Sequence, residues 1–260
     1  MIVSSEGIII HSMNYSDTSK IVTMYSKEFG KIKLLAKGAR KNSKSFGSSL
    51  EVLSHIRVIF YKKDERSLHL ISKSEIIRPS TKLCSSFTQL SYALAIAELV
   101  KQVFHDEEKN LPIYQLVIDA MDELTKIDRG FENIYFSFLM NLFSLSGFAF
   151  DIKSCFSCKK DLSITNDDKF CNITNGVFYC AVCHNKTKYG EVKFREDVFK
   201  VLDFIYSGKI SNSKKINFND SIGNEIKKFL HRYGEFHLHG MKSLNSLKLL
   251  DSYSQFQGVN

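Results

Sequence analysis

Residues 20–41 have the sequence KIVTMYSKEFGKIKLLAKGARK and decide the fold of the first part of the chain. Two short runs rich in apolar and β-branched residues, 20–26 and 31–37, flank KEFG, a connection of hairpin length that contains a glycine. The pattern predicts two antiparallel strands joined by a tight turn. A strongly basic segment follows the second strand directly.

Three further runs continue this pattern on both sides of the hairpin. Residues 8–10, 56–62 and 68–77 are rich in β-branched or aromatic residues. Five short strands with longer loops favour a small closed or half-closed barrel, and an OB-fold is the leading candidate. A fragment of a generic β-sandwich is the alternative.

The hydrophobic pattern becomes helical after residue 79. The sequence SFTQ, residues 86–89, has the spacing of a capping box, and Pro112 suits the first turn of a second helix. Residues 131–145 are apolar around most of the helix circumference, which is typical of the central helix of a bundle. Further helices are predicted over 194–207 (ending at Gly208), 221–233 (ending at Gly234) and 241–253.

An insert, residues 151–190, holds four of the six cysteines as two C-x2-C pairs with 21 residues between them. The pairs are Cys155 with Cys158, and Cys180 with Cys183. They supply the four thiolates that tetrahedral zinc needs, and a closed set of four is typical of a structural zinc ion, one per chain. A metal-free or redox site is the alternative, and Cys171 and His184 are alternative ligands within the same segment.

The sequence as a whole therefore predicts an α+β protein in three parts. These are an N-terminal five-stranded OB-fold barrel (1–79), an α-helical domain (80–150 and 191–260) and an inserted four-cysteine zinc module (151–190). No long uncharged apolar segment is present, and the first residues lack the pattern of a signal peptide. Six cysteines without an export signal indicate a reducing compartment, so we expect a cytoplasmic protein that makes no membrane contact.

The net charge of +8 is concentrated in the first part of the chain. Residues 1–75 hold 13 Lys and Arg against 7 Asp and Glu, which is +6, and the remainder holds 23 against 21, which is +2. Such a cluster suits phosphate neutralisation on a nucleic acid, although a solvated loop explains the same charge and a nuclear address is a third interpretation. Between Glu28 and Glu51 there is no acid and there are six basic residues: Lys31, Lys33, Lys37, Arg40, Lys41 and Lys44.

Small barrels bind single strands by stacking bases on aromatic side chains beside a positive groove. Candidates here are Tyr25, Phe29, Phe46, Phe60 and Tyr61. The chain contains no P-loop, no H-E-x-x-H, no G-x-S-x-G and no EF-hand pattern. We therefore expect a binding protein that is not an enzyme.

The order of these motifs resembles the RecO family of bacterial recombination mediators and DNA-repair proteins. The likeness rests on EGIIIHSMNYSDTSKIVTMYSKEFGKIKLLAKGARKNSKS (6–45), LISKSEII (70–77), YALAIAELV (92–100), the two C-x2-C pairs and HLHGMKSLNSLKLLD (237–251). The chain departs from the family where SLEVLSH, residues 49–55, lacks a proline, and where Lys159 stands in place of a common glycine.

The resemblance implies an OB-fold, a helical domain and a zinc module held by Cys155, Cys158, Cys180 and Cys183. It implies binding to single- and double-stranded DNA through Lys37, Arg40, Lys41 and Lys44, supported by Lys31 and Lys33, and annealing of complementary strands. The implied partners are RecR, the acidic C-terminal tail of single-stranded-DNA-binding protein and, in some systems, RecF, and together they promote RecA loading.

The expected location is the bacterial cytoplasm, with nucleoid association during repair. No motif fixes the pocket for the acidic tail, and the candidate is a groove between helices with a basic rim that involves Lys227, Lys228 and Arg232. The alternative function is a zinc-containing protein–protein adaptor without direct DNA binding.

Overall fold

The computed structural model describes residues 1–41, 46–63, 66–184, 191–213 and 216–257. The contacts between residues divide the chain into two compact units. The first unit comprises Met1–Thr125 and Lys242–Asn260, and the second comprises Lys126–Met241. The three-part division at residues 79, 150 and 190 stays a prediction. None of the helices within the described ranges combines the length and the apolar character needed to cross a lipid bilayer.

The first unit contains a closed five-stranded barrel. Its strands are β1 (Ile2–Tyr15), β2 (Ser19–Ser26), β3 (Gly30–Ala36), β4 (His55–Tyr61) and β5 (Leu68–Arg78). Neighbouring strands follow the order β1-β2-β3-β5-β4, and β4 pairs with β1 to close the barrel. The β3–β5 pair is parallel, and the other four pairs are antiparallel. This arrangement confirms the predicted N-terminal barrel of the OB type.

Strand β1 is much longer than the predicted run 8–10. Its first half, from Ile2 to Ile8, pairs with β4, and its second half, from Gly7 to Tyr15, pairs with β2. A register shift between Ile9 and His11 marks an irregularity within the pairing of β1 with β2. The flanking segments of β1 contain several polar residues and no continuous apolar run, so they lack the signal that identified its centre.

Side-chain alternation fills the barrel. In β3, Ile32, Leu34 and Ala36 are buried, while Lys31 and Lys33 alternate with them on the outer face. The β2–β3 turn ends at Gly30, which has φ +64°. A Cβ atom there would lie 2.0 Å from the backbone oxygen of Glu108, so the turn requires glycine.

Helices complete both units. They are α1 (Phe87–Val103), α2 (Leu111–Leu124), α3 (Phe131–Leu145), α4 (Ala181–His184), α5 (Glu196–Ser207), α6 (Ile210–Ser213), α7 (Asp220–His237) and α8 (Asn245–Gln257). The second unit also holds a small antiparallel sheet of order β7-β6-β8, formed by β6 (Lys169–Asn172), β7 (Val177–Cys180) and β8 (Glu191–Phe194).

The predicted capping box at the start of α1 is present in altered form. The Oγ atom of Ser86 accepts from the backbone N–H of Gln89 at 3.1 Å. The side-chain oxygen of Gln89 accepts from the backbone N–H of Ser85 at 2.8 Å, one residue before the N-cap. Both ends of the motif therefore satisfy backbone donors.

The final helix begins at Asn245, four residues later than predicted. The carboxylate of Glu98 on α1 accepts from the backbone N–H groups of Asn245 and Ser246 at 3.0 and 3.2 Å. A carboxylate at a helix N-terminus satisfies orphan donors and complements the helix dipole. This tertiary contact decides where α8 starts.

An aromatic core unites the second unit. Helix α3 has the predicted bounds and packs against α5, α6 and α7. Phe150 lies near Phe143, Phe178, Phe229 and Tyr233, with ring centroids 5.2 to 6.5 Å apart. Because Phe178 belongs to β7, the cysteine-bearing sheet shares its core with the helices.

The prediction that Gly234 ends a helix is wrong, because α7 continues to His237. Gly234 is buried, and a Cβ atom there would lie 2.3 Å from the sulfur of Met241 and 3.2 Å from the ring of Phe143. The glycine therefore allows close packing.

Candidate functional site

The basic segment after β3 begins as an ordered, exposed loop. Lys37, Arg40 and Lys41 are exposed, while Lys44 lies outside the described residues. The backbone N–H of Arg40 donates to the oxygen of Thr18 at 2.8 Å, and its guanidinium donates to the oxygen of Ser16 at 3.0 Å. These bonds fasten the loop to the β1–β2 turn, so its cationic side chains are displayed from a fixed backbone.

The two lysines on β3 make intramolecular contacts. The Nζ atom of Lys33 lies 2.6 Å from the carboxylate of Asp106, and that of Lys31 lies 3.3 Å from the same group. Lys31 also donates to the oxygen of Lys101 at 2.9 Å, and its side chain is only 12% exposed. Burial would raise the pKa of Asp106, but its bonds to the two lysines lower it below the usual value. The DNA contacts of Lys31 and Lys33 stay predictions.

A cleft of about 710 Å³, hereafter the barrel cleft, opens on the barrel surface. Its apolar lining is Leu35 from β3, Leu68 and Leu70 from β5, and Tyr61 from β4. Parallel pairing of Leu35 with Leu70 brings these strands together. Its cationic lining comprises Lys37, Lys63 and Arg66.

The sequence did not single out Lys63 and Arg66. They flank Asp64 and Glu65 in KKDER, so their charge is partly cancelled in the linear pattern. Only the fold shows that these two side chains and Lys37 line one cleft.

Among the five aromatic candidates, Tyr61 is the one with an exposed ring. Tyr25 and Phe60 are fully buried, and Phe29 and Phe46 pack against the barrel core. Tyr61 is 43% exposed and lines the barrel cleft. The alternation of β4 explains the difference, because Phe60 points into the barrel and its neighbour points out.

The four predicted cysteines form a compact cluster. Their sulfur atoms all lie within 4.8 Å of one another, and those of Cys158 and Cys180 are 3.9 Å apart. Tetrahedral zinc with bonds of about 2.3 Å places its sulfur ligands about 3.8 Å apart. Cys155 and Cys158 flank one tight turn, Cys180 ends β7, and Cys183 lies on α4. This donor set could hold a metal ion.

Backbone donors favour a thiolate at Cys155. Burial would raise the pKa of this thiol, but N–H groups of Cys158, Cys180 and Ser157 hold it below its usual value. The N–H of Cys180 is 3.4 Å from the sulfur. Stabilised thiolates are what a metal ion needs as ligands.

The two alternative ligands lie outside the cluster. Cys171 is buried within the small sheet, and burial raises the pKa of its thiol. The Nδ1 atom of His184 is 2.8 Å from the carboxylate of Glu191, and its ring stacks on Phe170 with centroids 3.6 Å apart. The four-cysteine set is therefore the candidate metal centre.

Lys159, directly after the first cysteine pair, has φ +60°. Its backbone N–H donates to the oxygen of Cys155 at 2.9 Å and closes the turn. Residues with a Cβ atom are disfavoured in this left-handed conformation, and glycine is not. The geometry explains why glycine is favoured at this position.

A smaller groove of about 190 Å³ lies between β8 and α7, and we call it the helical groove. Phe194 and Phe229 line its apolar part, and Lys193, Lys228 and Arg232 contribute positive charge. The lining also contains the acid Glu225, whose carboxylate lies 3.1 Å from the guanidinium of Arg195. Lys193 is 2.7 Å from Asp168, so Lys228 and Arg232 are the better-placed cations for an anion.

Comparison with known proteins covers both parts of the chain. The family model "Recombination protein O N terminal" matches residues 1–80, and "Recombination protein O C terminal" matches residues 84–247. The chain is 26% identical over 255 residues to the DNA repair protein RecO of Chloroherpeton thalassium, covering 96% of this chain and 98% of that protein. It is 26% identical over 250 residues to that of Acetivibrio thermocellus, covering 96% and 97%.

Proposed function

The chain belongs to the RecO family of DNA repair proteins, and from this premise we propose that it is a non-enzymatic recombination mediator. In this proposal it binds single- and double-stranded DNA and anneals complementary strands. With RecR, and with RecF in some systems, it promotes loading of RecA onto DNA coated by single-stranded-DNA-binding protein. It works in the bacterial cytoplasm, at the nucleoid during repair.

The observation that carries the proposal is the barrel cleft together with the loop beside it. Lys37, Lys63 and Arg66 provide cationic groups beside apolar walls and the exposed ring of Tyr61. Arg40 and Lys41 extend the same charge along the fastened loop. A positive groove with one aromatic platform suits a flexible single strand, whose bases can stack.

Duplex DNA would contact the cationic side chains but would not stack on the ring of Tyr61. Its bases are already stacked, so phosphate contacts and counterion release supply the affinity, and the basic loop meets that need. Neutralising phosphates on two strands lowers their mutual repulsion. That reduction is the basis of the proposed annealing activity.

We assign zinc to the four-cysteine centre, with a structural role. Cys155, Cys158, Cys180 and Cys183 would hold the ion and leave no open coordination position for substrate. The ion would tie the turn at 155–158 to the end of β7 and to α4. This fixes the fold of the module without catalysis.

The helical groove is our candidate pocket for the acidic tail of single-stranded-DNA-binding protein. The cations Lys228 and Arg232 beside an apolar lining suit an acidic peptide. Lys227, the third residue predicted for this pocket, is not among its lining residues. Binding of the tail would be a second contact with DNA that is coated by single-stranded-DNA-binding protein.

The first test reverses the charge of the loop with Lys37→Glu, Arg40→Glu and Lys41→Glu in one variant. We expect DNA affinity at low salt to fall about 100-fold, and the slope of log affinity against log salt to fall by about three. Annealing of complementary oligonucleotides, bare and coated, should be lost in parallel.

The matched control reverses three exposed lysines elsewhere in the same unit, with Lys82→Glu, Lys242→Glu and Lys248→Glu. It changes the net charge equally and should keep most of the affinity. If both variants bind and anneal like the parent protein, the basic loop is only solvated. Absence of salt-dependent DNA binding by the parent protein would favour the adaptor function.

A further inference from the structure

We propose that the turn formed by residues 155–160 is a second contact for single-stranded nucleic acid, in which Phe156 stacks on an unpaired base and Lys159 and Lys160 approach its phosphates. The inference rests on the proposed DNA-binding function and extends it to the second unit. It assigns a task to a side chain that the metal centre does not use.

Phe156 is exposed although it is large and apolar. It is 51% accessible and lies between two candidate metal ligands, Cys155 and Cys158. Its backbone N–H donates to the oxygen of Phe178 at 2.8 Å, and its ring meets Tyr179 edge-on with centroids 5.9 Å apart. About half of the surface of a supported side chain is therefore accessible to solvent.

Positive charge accompanies this ring. The Nζ atom of Lys159 lies 5.0 Å from the ring centroid, within cation–π range, and Lys160 is exposed beside it. The neighbouring carboxylate of Asp161 accepts from the N–H and hydroxyl of Ser163 at 2.8 and 2.7 Å. The acid is thus engaged within its own loop.

Two further lysines among the described residues of the module make contacts elsewhere. Lys153 lies 2.7 Å from the carboxylate of Asp203. Lys169 is fully buried and donates to the backbone oxygens of Thr165 and Asp167. Within the described part of the module, Lys159 and Lys160 are therefore exposed lysines for which no ion pair with an acid is seen.

This combination fits a nucleobase better than a protein surface. A single exposed ring offers about one base of stacking area, whereas a stable protein interface needs several hundred Å² on each partner. A base has a π-face, and its phosphate complements the adjacent cations. Paired bases in a duplex are not free to stack on a side chain, so the ligand class is a single strand.

The chain contains no tryptophan, so Phe156→Trp introduces a single indole fluorophore at the proposed contact. The matched control is Phe236→Trp on α7, where the parent side chain is 58% exposed. Each full-length variant is titrated with an oligothymidine strand and with an abasic strand of the same length and charge. Fluorescence anisotropy of the labelled strand reports total binding in the same samples.

We expect oligothymidine to quench the indole of the Phe156→Trp variant, while the abasic strand leaves it unchanged and the control shows neither effect. In parallel, Phe156→Ala should weaken single-strand affinity about five- to tenfold, and Phe156→Tyr should keep it. Unchanged metal content and melting temperature in these variants show that the turn is intact.

Two outcomes separate this inference from the function on which it rests. If the strand binds by anisotropy but the indole at position 156 is silent and Phe156→Ala binds normally, the second contact is refuted and the barrel contact stands. If no strand binds at any salt concentration, the proposed DNA-binding function itself fails. Quenching by oligothymidine and the abasic strand alike would refute stacking, because it would reflect charge alone.

Discussion

The barrel and the cysteine module are stabilised in different ways. The barrel closes its hydrogen-bond ladder strand to strand and fills its interior with apolar residues such as Ile9, Val58 and Phe60. The module has short strands, and its first cysteine turn is largely exposed. Its four sulfur atoms lie close together with backbone N–H groups directed at one of them. The barrel is therefore closed by its own strands and core, whereas the module contains a four-sulfur cluster that could hold a metal ion.

The two regions also position their functional side chains in different ways. In the barrel, strand alternation and a fastened loop set the positions of Tyr61 and Arg40. In the module, Phe156 lies between two candidate metal ligands, so under the proposed zinc assignment its turn would depend on the metal. Perturbing the metal should therefore affect one region and leave the other intact.

The largest expected effect comes from removing the metal. A strong chelator, or the pair Cys158→Ser and Cys183→Ser, should abolish zinc binding and lower the stability of the second unit by several kcal/mol, because a closed zinc site contributes folding free energy. Hydrogen exchange should show loss of amide protection in β6 and β7, with β2 and β3 unchanged.

The control for this experiment is Cys84→Ser, an exposed cysteine outside the cluster, which should leave zinc content and protection unchanged. Equal loss of protection in the barrel would contradict the contrast between the two regions. Purified parent protein that contains no zinc by elemental analysis would contradict the metal assignment.

A smaller effect, confined to the first unit, should follow a change of pH. His55 is buried at the start of β4, and its Nε2 atom is 3.2 Å from the hydroxyl of Tyr114 on α2. Burial, together with the charge of Arg78 and against that of Glu6, lowers the pKa of His55 to about 4. Between pH of about 6.5 and 4 the unfolded chain therefore takes up a proton that the folded unit does not.

The consequence is a stability that is complete above pH of about 6.5 and falls as the pH approaches 4. We expect a loss of about 2 kcal/mol from this group, allowing for partial solvent screening. His55→Gln should remove most of this pH dependence in denaturant unfolding, and His105→Gln, an exposed control in the same unit, should keep it. The same slope in all three proteins would show that another group is responsible.

Local patterns account for what the sequence could predict. The five strands, the bounds of α3 and the four cysteines all follow from periodicity or spacing within a few residues. The barrel cleft could not be predicted in this way, because it depends on parallel pairing between Leu35 and Leu70. The ion pairs of Lys31 and Lys33 with Asp106 could not be predicted either, because Asp106 lies between α1 and α2, far from β3 in the sequence.

Glycine positions show the same limit. Gly234 looked like a helix terminator, although its role is to allow contact with Met241. A pattern along one helix cannot reveal what packs against it from another segment. Lys159 is the opposite case, because the missing glycine was visible in the sequence and the backbone confirms that the position favours one.

The smallest expected effect is therefore the replacement Lys159→Gly. At φ +60° the lysine Cβ is strained, and its removal should stabilise the turn by up to about 1 kcal/mol, partly offset by the greater freedom of glycine in the unfolded chain. The control is Lys160→Gly, whose backbone lacks the left-handed φ, and it should destabilise by about 0.5 kcal/mol. Competition with a chelator would measure both as changes in zinc affinity of opposite sign. If both variants lose zinc affinity equally, backbone strain at Lys159 does not weaken zinc binding. The proposed metal dependence of the module would then be due to the four cysteines alone.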